Sequence, residues 1–283
     1  MVTGTVTELW RYPVKSMLGE RVDVVDVTEH GLEGDRAFAL IDDETGKVCS
    51  AKRHDLWGGL FTFTSRLVSQ NPLIANITFP DGSEATTADP DMSSRLSEVF
   101  GRNVTLSTTA PPEAKIEEIW DEVKGSRMYG PRIGEHDGDA VIDVGASFAA
   151  PGDFFDFSAI HLLTTNTLAE LDRLESASAF DVRRFRPNIV VEVPDTQGFV
   201  ENGWKSISVG DLRLNVLMPV PRCVMTTLAQ SELPKDSGVL RATARHNMIE
   251  AGPLGPLPCA GVYAAVATGA QIRIGDGVTA EIG

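Results

Sequence analysis

Short runs in which apolar and polar residues alternate make up most of this chain, and such alternation predicts β-strands. The first run, TVTELWRYPV (5–14), is rich in the β-branched and aromatic residues that strands favour. Further runs of this kind are bounded by Gly, Asp, Asn or Pro: RVDVVDV, RAFALID, LIANITF and NVTLST. Among them, residues 91–100 (DMSSRLSEVF) predict one short helix. The first third of the chain therefore predicts a β-rich module.

A second set of predicted strands begins near residue 159 with AIHLLTT. The next segment, NTLAELDRLES (166–176), predicts an amphipathic helix. We expect Asn166 to cap this helix, and its apolar face carries three leucines, Leu168, Leu171 and Leu174. The strands predicted after it are NIVVEV, SISVG, LRLNVLM, CVMTTL, GVYAAVA and QIRIGDGVTAEI. Short strands with turn signals every 8 to 12 residues or so are typical of a barrel.

These patterns predict a mainly β protein with a few helices, of the α+β class, in two parts. Residues 1–110 form the predicted N-terminal β-rich module. Residues 111–283 form the predicted C-terminal β-barrel domain with one inserted helix, and its first part, 111–158, is an irregular connection. A chain of 283 residues is long enough for two such parts, each with its own core.

The charge and the cysteine content limit the classes of partner. The formal net charge is −15, which repels the phosphates of nucleic acids and anionic membranes, so we expect neither as a partner. An anionic ligand would need its own local positive charge. The sequence shows no targeting segment and no apolar run long enough to span a membrane. Its three widely spaced cysteines argue against a disulfide framework and predict a reducing, cytoplasmic location.

Four basic residues stand at turns or strand ends: Lys15, Arg36, Arg186 and Arg222. Each alone is compatible with an ordinary surface charge, but together they predict loop-mouth positions that converge on an anion. Neutral donors lie beside or near them in the sequence, namely Ser16, Thr164, Thr165 and Asn188. The segment LLTTNTL places two hydroxyls where a strand meets a helix N-terminus, which suits either a phosphate or simple capping.

Cys223 lies in PVPRCVMTT, directly after a Pro-x-Pro turn and an arginine. An adjacent guanidinium favours the thiolate, which is the form that attacks or binds a metal. The alternative is a small buried apolar residue, the role that we predict for Cys49 and Cys259. Motifs for zinc, iron–sulfur clusters, nucleotides and serine hydrolases, such as CxxC, HExxH, GxGxxG and GxSxG, do not occur.

Four segments, in this order and at these separations, resemble the MOSC superfamily, named after the C-terminal domain of molybdenum-cofactor sulfurase. They are LWRYPVKSMLGE, GLEGDRAFALID, RFRPNIVV and PVPRCVMTTL. The layout is most similar to two-part members with an N-terminal MOSC-associated β-barrel module, such as the amidoxime-reducing component and its bacterial relatives. The resemblance covers nearly the whole chain. It therefore implies a MOSC β-barrel preceded by a smaller β-barrel-like module.

The resemblance also implies a molybdenum cofactor, Mo-molybdopterin, with the Cys223 thiolate as the protein ligand of the metal. The positions that match cofactor contacts are Lys15, Ser16, Arg36, Thr164, Thr165, Arg186, Asn188, Arg222 and Tyr263. A soft thiolate suits a metal that shares dithiolene ligands. The sequence departs from the family at Pro221, where members often have a serine, so one contact would be missing.

Two functions are compatible with this resemblance. The first is an oxidoreductase that reduces N-hydroxylated or N-oxide compounds, with electrons from a separate donor protein of the ferredoxin, flavoprotein or cytochrome type. A separate donor is expected because the sequence ends without the ferredoxin domain that some bacterial relatives carry. The second is a carrier that holds the cofactor, or a persulfide on Cys223, without turnover. A pyridoxal-phosphate domain is absent from the sequence, and a barrel used only for binding is a third possibility.

Overall fold

The computed structural model describes residues 1–111, 115–120, 140–145, 154–250 and 255–283, so most of the predicted connection 111–158 lies outside the described residues. The strands are β1 (Val2–Arg11), β2 (Glu20–Val22), β3 (Val24–Thr28), β4 (Gly31–Leu32), β5 (Ala39–Asp42), β6 (Thr64–Gln70), β7 (Leu73–Thr78), β8 (Glu84–Thr86), β9 (Val104–Ser107), β10 (Lys115–Trp120), β11 (Ala140–Gly145), β12 (Ile160–Thr164), β13 (Ile189–Glu192), β14 (Trp204–Val209), β15 (Leu212–Pro221), β16 (Met248–Glu250), β17 (Pro256–Thr268), β18 (Ala270–Arg273) and β19 (Gly277–Ile282). The helices are α1 (His54–Trp57), α2 (Met92–Phe100), α3 (Thr165–Leu174), α4 (Val182–Phe185) and α5 (Gly238–His246), with 3-10 turns at Gly58–Thr62, Val200–Gly203 and Val224–Thr227.

Seven strands close a barrel in the order β12, β13, β1, β19, β14, β15 and β17, and β17 pairs back with β12. Every pair in this ring is antiparallel except β12–β13. Alternating strand residues fill the barrel with a buried core that includes Leu9, Leu162, Val191, Ile207 and Leu214. The prediction of a mainly β protein with a few helices is confirmed.

The N-terminal part has its own core but is not separate from the barrel. Its sheets are β5–β9 and β6–β7–β8, and its core packs around Phe63, which stacks on Phe100 and meets Phe79 edge to face. However, β1 is a full barrel strand between β13 and β19, and β3 pairs with β18. The domain boundary near residue 110 stays a prediction. Both β1 and β3, which precede this boundary, pair with strands that follow it.

The helices differ from the sequence prediction in number and in capping. Helix α2 lies where DMSSRLSEVF predicts it, but the described C-terminal part has α3, α4 and α5 where one helix was expected. Helix α3 is capped by Thr164, whose side chain accepts from the N–H of Thr167. The prediction of Asn166 as the cap is wrong, because its amide instead bonds the backbone of Val193. None of the described helices is long and apolar enough to cross a membrane.

Candidate functional site

Three turns meet at one end of the barrel, and each carries a residue that the sequence predicts to be functional. The turn after β1 is tied to the turn before β5, because Lys15 N donates to Phe38 O (2.8 Å) and Arg36 N donates to Tyr12 O (2.8 Å). The turn after α4 joins them, because Arg186 Nη1 donates to the carbonyl of Met17 (2.8 Å). Hydrogen bonds across the chain, not sequence proximity, therefore assemble the cluster.

Three of the predicted cofactor residues adopt a left-handed backbone. The φ values are 63° at Ser16, 47° at Arg36 and 54° at Arg186, and the described residues include only two other non-glycine cases, Asp195 and Ser231. Such residues carry backbone strain, which persists where surrounding bonds enforce it and which concentrates at functional sites. At Ser16 the side chain makes one of these surrounding bonds, because its hydroxyl accepts from Ala51 N (3.1 Å).

Tyr12 lies at the centre of the cluster, although the sequence analysis did not single it out. The guanidinium groups of Arg36 and Arg186 lie over its ring, 4.5 and 4.2 Å from the centroid. Its ring is 2% exposed, and its hydroxyl oxygen is buried without a hydrogen-bond partner in the described part of the chain. A buried hydroxyl without such a partner, on a ring that two cations contact, is a polar group available to a ligand.

Two lysines and two carboxylates form a second group of side chains in the cluster. Lys15 Nζ, on a residue 5% exposed, donates to Asp156 Oδ1 (2.5 Å) and to Phe154 O (2.6 Å). Lys52, which the sequence analysis missed, pairs with Glu118 and lies 3.5 Å from Asp156 Oδ2. Burial would raise the pKa of Asp156, but Lys15 and Lys52 outweigh burial and hold that pKa below its ordinary value. Burial lowers the pKa of Lys15, and the Asp156 carboxylate opposes this effect.

Arg186 has no carboxylate partner among the described residues. It is 8% exposed, and burial lowers the pKa of its guanidinium to about 10. Its side chain makes one hydrogen bond, to Met17 O, so four of its five N–H donors are unused there. In contrast, Arg36 pairs with Asp35, which also accepts from Tyr12 N (2.7 Å).

Among the residues that the structure describes, the cluster has an excess of positive charge. These include five cations, Lys15, Arg36, Lys52, Arg186 and Arg222, and three carboxylates, Asp35, Glu118 and Asp156. In a chain with a net charge of −15 this local excess is a specific feature. Because unpaired buried cations are costly, the arrangement favours an anionic ligand.

Cys223 lies at the end of β15 in extended backbone and begins a 3-10 turn, so the prediction of CVMTTL as a strand is wrong. Local bonds stabilise that turn: the hydroxyl of Thr226 donates to Cys223 O (3.0 Å) and that of Thr227 to Val224 O (2.7 Å). The buried guanidinium of Arg184 also holds this loop, donating to the carbonyls of Thr226, Leu228 and Pro234.

The thiol of Cys223 is half-buried, and burial raises its pKa. The cation that lowers this pKa most is Lys52, not Arg222. Arg222 also interacts with the thiolate of Cys223, which raises the pKa of the guanidinium, but burial lowers that pKa more. That Arg222 favours the thiolate therefore stays a prediction. Ala51, next to Lys52, packs in one apolar cluster with Val224, which explains how the lysine comes close to the sulfur.

Arg222 is turned into the protein. Its Nε donates to Ala260 O (3.0 Å), its Nη1 donates to Phe185 O (2.9 Å), and its Nη2 bonds both Ala260 O and His161 Nε2. Four of its five donors are thus used internally. Asn188 is similarly committed: its amide donates to Trp10 O and Asp35 and accepts from His161 N. Both residues support the cluster, and little of their hydrogen-bonding capacity is left for a ligand.

Of the remaining predicted residues, one lies in the cluster and two lie away from it. Tyr263 belongs to the cluster, stacking on Phe157 (5.4 Å between centroids) and meeting the His161 ring edge to face (6.0 Å). Thr164 and Thr165 do not, because they lie three and four residues beyond His161 along β12 and into α3, about 10 Å or more away at 3.3 Å per strand residue. The Thr164 hydroxyl donates instead to buried Glu201 (2.7 Å).

Family models match both parts of the chain. A model described as MOSC domain matches residues 151–279, and one described as MOSC N-terminal beta barrel domain matches residues 3–108. The second match includes β1, the strand that the fold places inside the C-terminal barrel.

Individual relatives cover most of the chain at low identity. Mitochondrial amidoxime-reducing component 1 of Homo sapiens is 26% identical over 295 residues, which span 97% of this chain and 82% of that protein. Mitochondrial amidoxime reducing component 2 of Bos taurus is 25% identical over 248 residues, 84% of this chain and 68% of that protein. Among solved structures, the YUAD protein from Bacillus subtilis aligns over 98% of this chain and 94% of that chain, with 13% identity and a TM-score of 0.45.

Proposed function

Because this chain belongs to the MOSC family, in the two-part form with the N-terminal β-barrel domain, we propose that its cationic cluster binds a molybdenum–pterin cofactor. The observation that carries the proposal is the excess of buried positive charge around Arg186, next to a half-buried cysteine. The phosphate of such a cofactor would supply the anion that this cluster lacks.

The donor set fits this group in three respects. Arg186 has unused N–H donors, and the buried hydroxyl of Tyr12 lacks a partner among the described residues. Cys223 supplies one soft sulfur ligand. The described residues contain no group of three or more His, Cys, Asp or Glu that could hold a metal ion.

The reaction that we propose is reduction of an N-hydroxylated compound or an N-oxide, by analogy with relatives named amidoxime-reducing components. For a hydroxylamine, two electrons and two protons break the N–O bond and give an amine and water. The cofactor, when bound, supplies the two-electron chemistry. The protein binds it through Arg186, holds Asp156 ionised between Lys15 and Lys52, and presents Cys223. Electrons come from a separate ferredoxin, flavoprotein or cytochrome.

Elemental analysis of protein from a molybdenum-replete host tests the proposal. We expect near-stoichiometric molybdenum and, with reduced viologen as an artificial donor, conversion of an amidoxime to the amidine. Metal-free protein that carries a persulfide on Cys223 would instead indicate a sulfur carrier. Bound cofactor without turnover on any N-oxygenated substrate would indicate a cofactor carrier.

Substitution of the cysteines tests the ligand assignment. Cys223→Ser exchanges a soft sulfur for a hard oxygen, so we expect activity to fall by orders of magnitude while the melting temperature changes little. Cys49→Ser and Cys259→Ser are the matched controls, because both thiols are buried in apolar clusters. Loss of molybdenum from a control variant, with retention in Cys223→Ser, would contradict the assignment.

A further inference from the structure

A buried histidine connects the two turns that carry Arg186 and Cys223. His161, in β12, is 5% exposed and lies between the carbonyl of Arg186 and the guanidinium of Arg222. Its Nδ1 is 3.2 Å from Arg186 O, and its Nε2 is 2.6 Å from Arg222 Nη2. Arg222 immediately precedes Cys223, so one side chain bridges the anion-binding turn and the cysteine turn.

The two partners fix the protonation of the ring. A guanidinium can only donate, so Nε2 of His161 must accept from Arg222. A carbonyl can only accept, so Nδ1 must carry the proton and donate to Arg186 O. The geometry therefore requires the neutral Nδ1–H tautomer. A protonated ring would bring an N–H against an N–H beside a fixed positive charge.

The surroundings hold the ring in this position. The backbone N–H of His161 donates to Asn188 Oδ1 (3.1 Å), and the Tyr263 ring meets it edge to face. Opposite Nε2 stands Gly261, with φ of +80°, where a Cβ would lie 2.5 Å from that nitrogen. Any side chain at this position would displace the imidazole, and only glycine adopts this backbone without strain.

The two turns that His161 joins both depend on side-chain hydrogen bonds for their position. Arg186 has a left-handed backbone (φ 54°), and its carbonyl accepts from His161 and, at 3.4 Å, from Arg36 Nη2. On the other side, the Cys223 turn follows Pro219 and Pro221, which donate no backbone hydrogen bonds to the neighbouring strand. The Arg222 side chain thus supplies much of the polar anchoring at this strand end.

We propose that His161 is a positioning residue that sets the spacing between the anion-binding turn and the metal-ligating cysteine. It does so as a neutral imidazole that accepts from Arg222 and donates to the carbonyl of Arg186. The assignment of a ligand to each turn rests on the proposed function. The bridge itself does not, since residues of this chain alone form it.

Nitrogen-15 NMR of the cofactor-free protein tests the bridge directly. We expect the His161 resonances to show a protonated Nδ1 and an unprotonated Nε2 across pH 6 to 8 or so, a range in which an exposed histidine titrates. Resonances of an Nε2–H tautomer, or titration with an ordinary midpoint, would overturn the proposal. This measurement is independent of molybdenum and of activity, so its failure is distinct from failure of the proposed function.

Two variants test the consequence. His161→Phe keeps a ring but removes both hydrogen-bonding atoms, whereas His161→Gln keeps one donor and one acceptor. We expect His161→Phe to lose molybdenum at least about tenfold faster on dialysis, the effect of one charge-assisted bond, and His161→Gln to recover part of that retention. In the cofactor-free protein, the alkylation rate of Cys223 should change in the Phe variant and return toward wild type in the Gln variant.

The matched control is His246→Phe, which removes a half-buried histidine at the end of α5 whose partner is Glu175, the C-terminal cap of α3. It should leave both molybdenum retention and the alkylation rate unchanged. If His161→Phe matches His246→Phe in both measurements, the proposal is refuted. If the Phe variant does not fold, the NMR assignment and His161→Gln decide.

Discussion

Replacement of Arg186 by methionine should have opposite effects on the stability of the cofactor-free protein and on its affinity for the cofactor. Methionine keeps the length of the aliphatic stem but removes the charge. In the cofactor-free protein the loss is one charge-assisted bond to Met17 O, about 1.5–3 kcal/mol. Two cation–π contacts, with Tyr12 and Phe61, are also lost, about 0.5–2 kcal/mol each.

The stability gained by removing the buried charge is similar in size to the stability lost with these contacts. A guanidinium that is removed from water and has no carboxylate partner among the described residues carries a penalty of several kcal/mol, which the methionine does not have. These contributions nearly cancel, so we expect the free energy of unfolding of the cofactor-free variant to differ from wild type by no more than about 2 kcal/mol.

For cofactor binding there is no such cancellation. Arg186 can give an anion at least two charge-assisted hydrogen bonds, together about 3–6 kcal/mol. Their loss corresponds to a roughly hundredfold to ten-thousandfold weaker complex. The assay measures pterin and molybdenum per protein after dialysis, beside urea unfolding of the cofactor-free form.

The matched control is Arg173→Met on α3, where the arginine is 60% exposed and pairs with Glu170. Retention of the cofactor by Arg186→Met within about twofold of this control would refute the reasoning on binding. A loss of more than about 4 kcal/mol in the cofactor-free variant would refute the reasoning on buried charge.

Two further predictions concern buried groups outside the cluster. Burial raises the folded-state pKa of Glu201, so its contribution to stability is complete below about pH 4.5 and is lost as pH rises through the folded-state pKa. Glu201→Gln should therefore become more stable relative to wild type between pH 4.5 and 7 or so in urea unfolding, and a difference independent of pH would contradict this. Arg184→Met leaves the carbonyls of Thr226, Leu228 and Pro234 without their donor, so the free energy of unfolding should fall by about 3 kcal/mol or more, and an unchanged urea midpoint would refute the assignment.

The sequence predicted the strands well because their signal is local. Alternation of apolar residues is a property of five or six neighbours, and the barrel strands follow it. Lys15, Arg36 and Arg186 could also be found, since each stands at a turn or strand end beside Gly or Pro. In the structure these residues meet at one end of the barrel.

The sequence could not predict which side chains already use their hydrogen-bonding groups within the protein. Arg222 and Asn188 match a binding motif, yet the structure uses most of their hydrogen-bonding groups internally. Thr164 resembles a phosphate ligand until Glu201, 37 residues later, is found to accept its hydroxyl. Lys52 and His161 gave no local signal, because their partners come from distant parts of the chain. These contacts are tertiary, so no short window of sequence contains them.

The place of β1 in the barrel also affects the synthesis of the protein. Val2 pairs with Ala280, so β1 finds one of its two barrel neighbours only when the chain has been translated through residue 280. At about 5–20 residues per second, that delay is roughly 15 to 55 seconds. Its other neighbour, β13, emerges earlier and can cover one edge. During the remaining interval the part of β1 that pairs with β19, residues 2–5, presents an unpaired edge, so a nascent chain stalled before β19 should be prone to aggregation and bind chaperones.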